Sequence, residues 1–225
     1  MQDLVVKNIS RNDYLFWIKE RHYAKTVPSI SYSFGLFLKD VMIGVCTFGT
    51  PFSSTLKKAI GDDFKLIELN RLVTEDGLKK NALSFFVSSC LKFLKKYGPF
   101  VVISYADTKQ GHNGYIYQAT NFVYTGLSAK RTDWKIKGLE KLHGGTIADI
   151  SRGVQNRAEY MRRTFGDSFY LEQRSRKHRY FYFIGSKKQK AKMKSILPYD
   201  VLPYPKGKNS NYNLPENKYQ QLRLF

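Results

Sequence analysis

Residues 64–107 read FKLIELNRLVTEDGLKKNALSFFVSSCLKFLKKYGPFVVISYAD, and their pattern decides the fold class. Residues 64–73 form a largely apolar run of strand length. A polar loop with a central Gly77 follows, and then Leu83, Phe86, Val87, Cys90, Leu91 and Leu94 recur at helical spacing. Asn81 opens that helix and Gly98-Pro99 ends it. Residues 100–106, FVVISYA, have the unbroken apolar character of a strand buried on both faces. A strand, a helix and a second strand in this order predict two parallel strands joined by a right-handed crossover.

Toward the N-terminus, residues 31–38 and 41–50 are apolar, aromatic-rich runs separated by Lys39-Asp40, which predicts a β-hairpin without the favoured Asn-Gly or Asp-Gly turn. Residues 4–9 read as a short strand. Ser10 and Asp13 form an imperfect capping box opening a helix from Arg11 to about His22, with Leu15, Phe16 and Ile18 in its apolar face. Pro28 closes the next segment, and residues 51–63 read as a polar loop. Toward the C-terminus come a polar loop (107–114), a short helix (115–121) and two strands (122–127 and 179–184). The fold class is therefore α/β, a mixed central sheet flanked by helices. Residues 128–178, rich in Arg, Lys and Gly, form a basic insertion between the last two strands, too long for a simple connection. The expected organisation is one catalytic domain over residues 1–204, with the insertion inside it, and a polar, mobile tail over 205–225.

The 225 residues are 42% apolar and 15% aromatic, enough for a sizeable core and not the composition of a disordered chain. The net charge is +20 and unevenly placed. Residues 1–129 carry 16 Lys/Arg against 10 Asp/Glu, whereas residues 130–225 carry 22 against 8. A charge of this size implies an anionic partner, nucleic acid before a membrane surface, and locates the contact in the second part. Cys46 and Cys90 sit in apolar runs, without disulfide or zinc-finger spacing. Neither a signal peptide nor an apolar run long enough to span a bilayer is visible, so a soluble cytoplasmic protein is expected.

Five stretches carry chemistry. The start of the helix at Asn81 offers unpaired N–H groups and a partial positive charge suited to phosphate, with Gly77, Lys79, Lys80 and Ser84 beside it; a solvated loop capped by Asn81 is the other reading. Asp107 ends a predicted parallel strand, where a carboxylate either faces a ligand crevice or closes an Asx turn. Gly111 and Gly114 bracket His112, and Tyr117 follows on the short helix, as a general acid or as a core phenol. His22 and Tyr23 end the first helix, where the helix dipole alone favours a His. A basic–aromatic tract runs through Arg174, Arg176, Lys177, His178, Arg179, Tyr180 and on to Lys187 and Lys188, a mixture suited to phosphate contact and base stacking. Lys130, Arg131, Lys135, Arg152, Arg157, Arg162 and Arg163 add charge in the insertion.

Residues 64–126 look like the core of the GNAT acyltransferase fold, although the usual glycine-rich loop is reduced to Gly77. More closely, RHYAKTVPS (21–29), SYSFGLFL, IELNRL, KKNALSFF, ISYADTKQGHNGYIYQATNFVYTG and PYPK (203–206) resemble the Mom family of phage DNA-modification proteins. That resemblance implies a DNA-modifying enzyme, host-cytoplasmic if phage-encoded, acting on double-stranded DNA with an acetyl-CoA-type cofactor. The implied product is the carbamoylmethyl derivative of adenine at its exocyclic amine, protecting DNA from restriction. Acetylation alone does not give that group, so its amide nitrogen has another source. The resemblance also implies catalytic roles for His22, Tyr23, Asp107 and Tyr117, with iron as a ligand of the four. It implies a cofactor strand through Arg71, Leu72 and Val73 leading to Gly77, Lys79, Lys80, Asn81 and Ser84. Two other readings stay open: an N-acyltransferase acting on a small amine or protein lysine, and a non-catalytic nucleic-acid-binding protein on the same fold.

Overall fold

Parallel pairing of the two decisive strands organises the structure, a computed structural model that describes residues 3–206 apart from 52, 141 and 143. β4 (Lys65–Thr74) pairs with β5 (Phe100–Asp107) in parallel through the crossover helix α3 (Ala82–Leu94). α3 buries Ala82, Phe86, Val87, Cys90, Leu91 and Leu94, the face expected from their spacing, and a 3-10 turn at Lys95–Tyr97 ends it. Phe100, Val101, Val102 and Ile103 are all buried, as a strand covered on both faces requires.

β1 (Leu4–Asn8), β2 (Tyr32–Leu38) and β3 (Val41–Gly49) extend the sheet as antiparallel neighbours. The β2–β3 turn places both Lys39 (φ 47°) and Asp40 (φ 64°) in the left-handed region, the geometry a two-residue hairpin demands, and Lys7 ion-pairs with Asp40 across it at 3.2 Å. On the other side, β9 (Lys177–Ile184) lies between β5 and β6 (Val123–Leu127), antiparallel to both. The order is β1-β2-β3-β4-β5-β9-β6, a mixed sheet as expected. One face packs on α3 and on α4 (Tyr115–Ala119); the other packs on α1 (Arg11–Phe16), α2 (Ser54–Ile60) and α7 (Lys187–Ser195).

Three expectations need correction. The first helix keeps α-geometry only to Phe16; residues Trp17–Arg21 form a wider π turn that ends at His22. Residues 51–63 are not all loop: α2 buries Leu56 and Ile60, one turn apart, and Ser53 caps it by accepting from the Leu56 N–H. The polar residues around that two-residue apolar face hid it. The last strand begins at Lys177, earlier than expected, and is followed by α7, which buries Met193 behind a Ser186–Gln189 capping box.

Between β6 and β9 the chain forms β7 (Thr132–Ile136), α5 (Gly144–Asp149), α6 (Arg157–Phe165) and β8 (Phe169–Gln173), with β7 and β8 paired as a two-stranded sheet. Ile136, Ile147 and Met161 are its buried centre, backed by Trp134 and Phe169. Cys46 and Cys90 are buried and free, and burial pushes the Cys90 thiol up. No helix among the described residues is long and apolar enough to cross a membrane. The expected tail, residues 205–225, lies outside the described residues beyond Lys206.

Candidate active site

The site forms where two strands part. Parallel pairing of β4 with β5 runs from Lys65↔Phe100 to Leu69↔Ser104 and then stops. β4 continues against β3 as far as Thr74, while β5 continues against β9 as far as Asp107. Residues 70–74 therefore present a β4 edge that no described strand pairs on the β5 side. Ligand crevices form at such partings, at the C-terminal ends of parallel strands.

A β-bulge in β4 sets what faces the crevice. Thr47 pairs with Arg71 and Phe48 with Leu69, so Asn70 is the extra residue. The bulge resets the strand's alternation, and Glu68 and Arg71 come to the same face. Asn70 is not idle: its Oδ1 accepts from Thr47 Oγ1 at 2.7 Å and its Nδ2 donates to the Ser29 carbonyl at 2.9 Å. Burial pushes the Glu68 carboxyl up to about 7, against the opposing pull of Lys177 and Arg71. Glu68 was not among the candidates from sequence. The signal was a lone carboxylate inside a largely apolar strand, FKLIELNRLV.

Arg71 donates to the Thr26 carbonyl from Nε and Nη2 (3.1 and 2.8 Å), to Thr26 Oγ1 (2.9 Å) and to the Asn70 carbonyl (2.7 Å). Its guanidinium, expected as a cofactor contact, anchors the 22–29 loop. The π turn delivers His22 to this loop in an extended conformation. His22 is buried, and its Nδ1 accepts from the Ala24 N–H at 3.1 Å, which leaves the ring proton on Nε2. Burial, then Arg71 and His112, push its imidazole down to about 4. Tyr23 stacks on His22 at 4.5 Å and meets His112 edge-on at 6.3 Å. Burial and the Asp107 carboxylate push the Tyr23 phenol up, with Arg71 opposing.

Asp107 stands at the end of β5 and serves two purposes. Its Oδ1 accepts from the Lys109 N–H at 2.9 Å, closing the strand, and from Ser175 Oγ at 2.7 Å; Lys177 Nζ lies 3.8 Å from Oδ2. The His112 N–H donates to the Asp107 carbonyl, and Gly111 (φ 68°) and Gly114 (φ 79°) let the loop turn back. A Cβ on Gly114 would sit 2.3 Å from the Tyr180 ring, so no other residue fits there. Tyr117 is buried in the opposite sheet face, packed on Phe122 and Tyr180. Its phenol is pushed well up by burial; a hydrogen bond with Ser104 opposes, and Tyr23 and Glu68 add to the rise. Ser104 Oγ in turn donates to the Leu69 carbonyl at 2.9 Å, at the last paired rung of β4. His22, Tyr23, Glu68, Arg71, Asp107, His112 and Tyr117 thus meet at the parting, from three segments distant in sequence.

The iron expected on His22, Tyr23, Asp107 and Tyr117 finds no support in the structure. Among the described residues no group of three or more His, Cys, Asp or Glu side chains could hold a metal ion. Asp107 Oδ1 already accepts twice, and His22 Nδ1 is taken by the backbone.

The residues expected to hold a cofactor follow one another along the β4 edge and the start of α3. Leu72 and Val73 lie in the unpaired β4 edge, and Gly77 (φ 69°) turns the loop in open space. Lys79 and Lys80 are exposed beside the start of α3. Asn81 adopts a left-handed conformation (φ 67°) and its side chain does not cap the helix, so that end keeps its capacity for an anion. Ser84 Oγ donates to the Asn81 carbonyl at 3.0 Å. An unpaired strand edge leading to an uncapped helix start fits an extended pantetheine arm ending in a diphosphate.

The basic candidates divide into groups. Lys177 sits beside Asp107, and Arg179 is held by Thr125 and lies 3.3 Å over the Tyr199 ring. Tyr105 on the same face is pushed up to about 12, by burial and then Glu68, with Arg179 and Arg131 opposing. Lys130, Arg131, Arg174 and Arg176 gather where the insertion joins the sheet. Arg162 and Arg163 are exposed on α6, whereas Arg157 donates to the Ala148 carbonyl and Ser151 and covers Trp134. Arg152 pairs with Asp149, and Lys135 donates to the Glu140 carbonyl and lies 3.6 Å from Glu172. Lys187 and Lys188 are not brought to the site: they follow the end of β9 that pairs with Phe100, the far end of the sheet from Asp107.

Among solved structures, the ribosomal-protein-S18-alanine N-acetyltransferase from Escherichia coli overlaps with a TM-score of 0.46 at 9% identity, over 81% of this chain and 95% of that one. An acetyltransferase from Bacillus subtilis in complex with CoA overlaps with a TM-score of 0.44 at 12% identity, over 79% of this chain and 97% of that one. Sequence likeness is more specific. The chain is 30% identical over 195 residues to the methylcarbamoylase mom of Escherichia phage Mu, covering 84% of this chain and 78% of that protein. The match to the Mom protein family spans residues 3–206, the whole sheet together with its insertion, and the chain belongs to that family.

Proposed function

We propose that this protein is a DNA-modifying transferase that adds a carbamoylmethyl group to the exocyclic amine of adenine, using an acetyl-CoA-type cofactor, and so protects DNA from restriction. The observation that carries this reading is the meeting of Glu68, Asp107, His22, Tyr23 and Tyr117 at the parting of β4 and β5, beside an unpaired strand edge. Membership of the Mom family and likeness to the methylcarbamoylase mom of phage Mu support the choice of group transferred, and the net charge of +20 supports a polyanionic substrate.

In this reading the cofactor lies along residues 70–74 with its diphosphate at the start of α3. When bound, acetyl-CoA supplies a two-carbon unit activated as a thioester. The adenine is flipped out of the duplex, because its amine is unreachable in the stack. Glu68 is placed to take the proton that the exocyclic amine gives up when it is modified. A carboxyl held near 7 is suited to this task near neutral pH. Asp107 Oδ2 accepts from the remaining amine N–H and orients it. Neutral His22 and the Tyr23 ring form one wall of the base pocket, and Tyr117 keeps its hydroxyl proton at the floor of the cleft.

Expression in a host followed by digestion of its DNA to nucleosides tests this. Mass spectrometry is expected to reveal a new adenine nucleoside with the carbamoylmethyl mass, absent with Asp107→Ala. Unaltered adenine under soluble expression of the wild type would exclude the reading. Transfer to a free amine or a protein lysine without DNA would favour an ordinary acyltransferase.

A further inference from the structure

The junction between the insertion and the sheet forms a second site, suited to a phosphate rather than a base. Lys130, Arg131, Thr132, Gln173, Arg174 and Arg176 line an open notch of about 270 Å3 there. The Arg174 charge is neutralised by Asp133, which accepts from Nε at 3.1 Å and also from Nη2. Arg176 is held instead by uncharged groups: Nε donates to the Ser128 carbonyl at 2.7 Å and Nη2 to the Leu127 carbonyl at 3.4 Å. Its orientation is fixed while its charge is uncompensated. Lys130 and Arg131 are exposed on the rim, and neither ion-pairs with a carboxylate among the described residues. A fixed guanidinium, two rim cations and the polar Thr132 and Gln173 are the components of a phosphate seat. Because the notch is open, it suits a phosphodiester whose chain enters and leaves more than an enclosed free ion.

The notch is also coupled to the candidate active site by direct bonds. The Arg176 carbonyl accepts from the Thr108 N–H at 3.2 Å and from its hydroxyl at 2.7 Å, and Thr108 adjoins Asp107. Ser175, the next residue back, donates to Asp107 itself. One short segment, residues 174–176, therefore lines the notch and braces the carboxylate, so the spacing between them is fixed.

We propose that this notch binds a backbone phosphate of the DNA strand carrying the target adenine, about one or two nucleotides from it, and so sets the strand's register over Asp107. The proposal rests on the reading of the substrate as DNA and adds a specific anchor to it.

Ethylation interference on a duplex fragment containing an adenine that the wild type modifies tests this with the full chain. The wild-type footprint is expected to include a phosphate within about two nucleotides of that adenine. The double variant Lys130→Gln, Arg131→Gln is expected to lose that phosphate alone, and its salt dependence to fall by a slope of about 1 per lost contact. Lys187→Gln with Lys188→Gln, at the far end of the sheet, is expected to keep the whole footprint. An unchanged footprint in the Lys130/Arg131 variant, or the loss only of phosphates farther away, overturns the notch and leaves the DNA reading standing. A wild type that modifies no adenine overturns both.

Discussion

Glu68 and Arg71 stand three positions apart on β4 and still face the same side of the sheet, because Asn70 between them is bulged out of register opposite Thr47 and Phe48. In a regular strand the two would point to opposite faces. The bulge gives the half-buried Glu68 a cation from its own strand and gives the His22 loop its anchor through Thr26.

Glu68→Gln is expected to lower the modification rate by about 100-fold or more, the scale of general-base catalysis. In the wild type, activity should rise with pH through a midpoint near 7, where Glu68 becomes ionised, and the variant should lack that limb. Stability should move the other way. Because the folded pKa lies above the unfolded one, the native state holds an extra proton between pH 4.5 and 7, and stability falls as pH rises through that window. The loss amounts to about 3 kcal/mol by pH 8, and Glu68→Gln should abolish it. Thermal unfolding of both proteins at pH 5 and pH 8 measures this; a wild type equally stable at both contradicts it.

His22 is expected to stay neutral, with its proton on Nε2, from pH 8 down to about 5. Its folded pKa is depressed to about 4, so the associated stability is complete above pH 6.5 and is lost as pH falls toward 4. Imidazole resonances followed by NMR report this directly. A His22 midpoint near 6.5 contradicts it.

The loop carrying His22 and Tyr23 is clamped at Ser29. Its carbonyl accepts from Asn70 Nδ2, and a Cβ at Gly49 would lie 1.7 Å from that oxygen. Gly49→Ala must displace backbone, with an expected cost of about 1–3 kcal/mol. Asn70→Ala removes two hydrogen bonds, at about 1–3 kcal/mol. Both should lose activity by more than their stability loss explains, measured as rate per folded molecule. Full activity in folded Gly49→Ala would show that the loop does not set the pocket.

Tyr117→Phe keeps the ring packed on Phe122 and Tyr180 and removes only the hydroxyl bonded to Ser104. Stability is expected to change by about 1 kcal/mol. Turnover should fall about 10-fold or more with little change in DNA affinity. A loss confined to DNA binding would move Tyr117 out of the chemistry.

The sheet and its crevice were legible because residues 64–107 carry two unambiguous periods, one apolar run and a helical face. The positions of His22, Tyr23, Asp107 and Tyr117 came from local wording, HY, SYAD and the glycine-flanked loop, which the fold then brought together. What escaped was whatever depends on register. A bulge is one unpaired residue between two strands distant in sequence, and nothing within IELNRL marks Asn70 as that residue. The bonds from Arg71 to Thr26 were hidden for the same reason, since Thr26 lies 45 residues away. Lys187 and Lys188 continue a basic tract in sequence, yet the eight residues of β9 carry the chain to the opposite end of the sheet before them.

The insertion begins and ends at neighbouring strands. Ser128 and Lys177 close its base with reciprocal bonds, at 2.8 Å from the Ser128 N–H to the Lys177 carbonyl and 2.9 Å from the Lys177 N–H to Ser128 Oγ. Above that base it has a small apolar centre of its own, Ile136, Ile147 and Met161. An appendage hinged at one closed pair and held together internally can change its outer face without repacking the sheet that holds Glu68 and Asp107. Preference for a sequence context and competence for the reaction are then separable traits, so a graft of a relative's appendage in place of residues 132–173, which keeps the Ser175 and Arg176 bonds to Asp107 and Thr108, should transfer the first and leave the second in place.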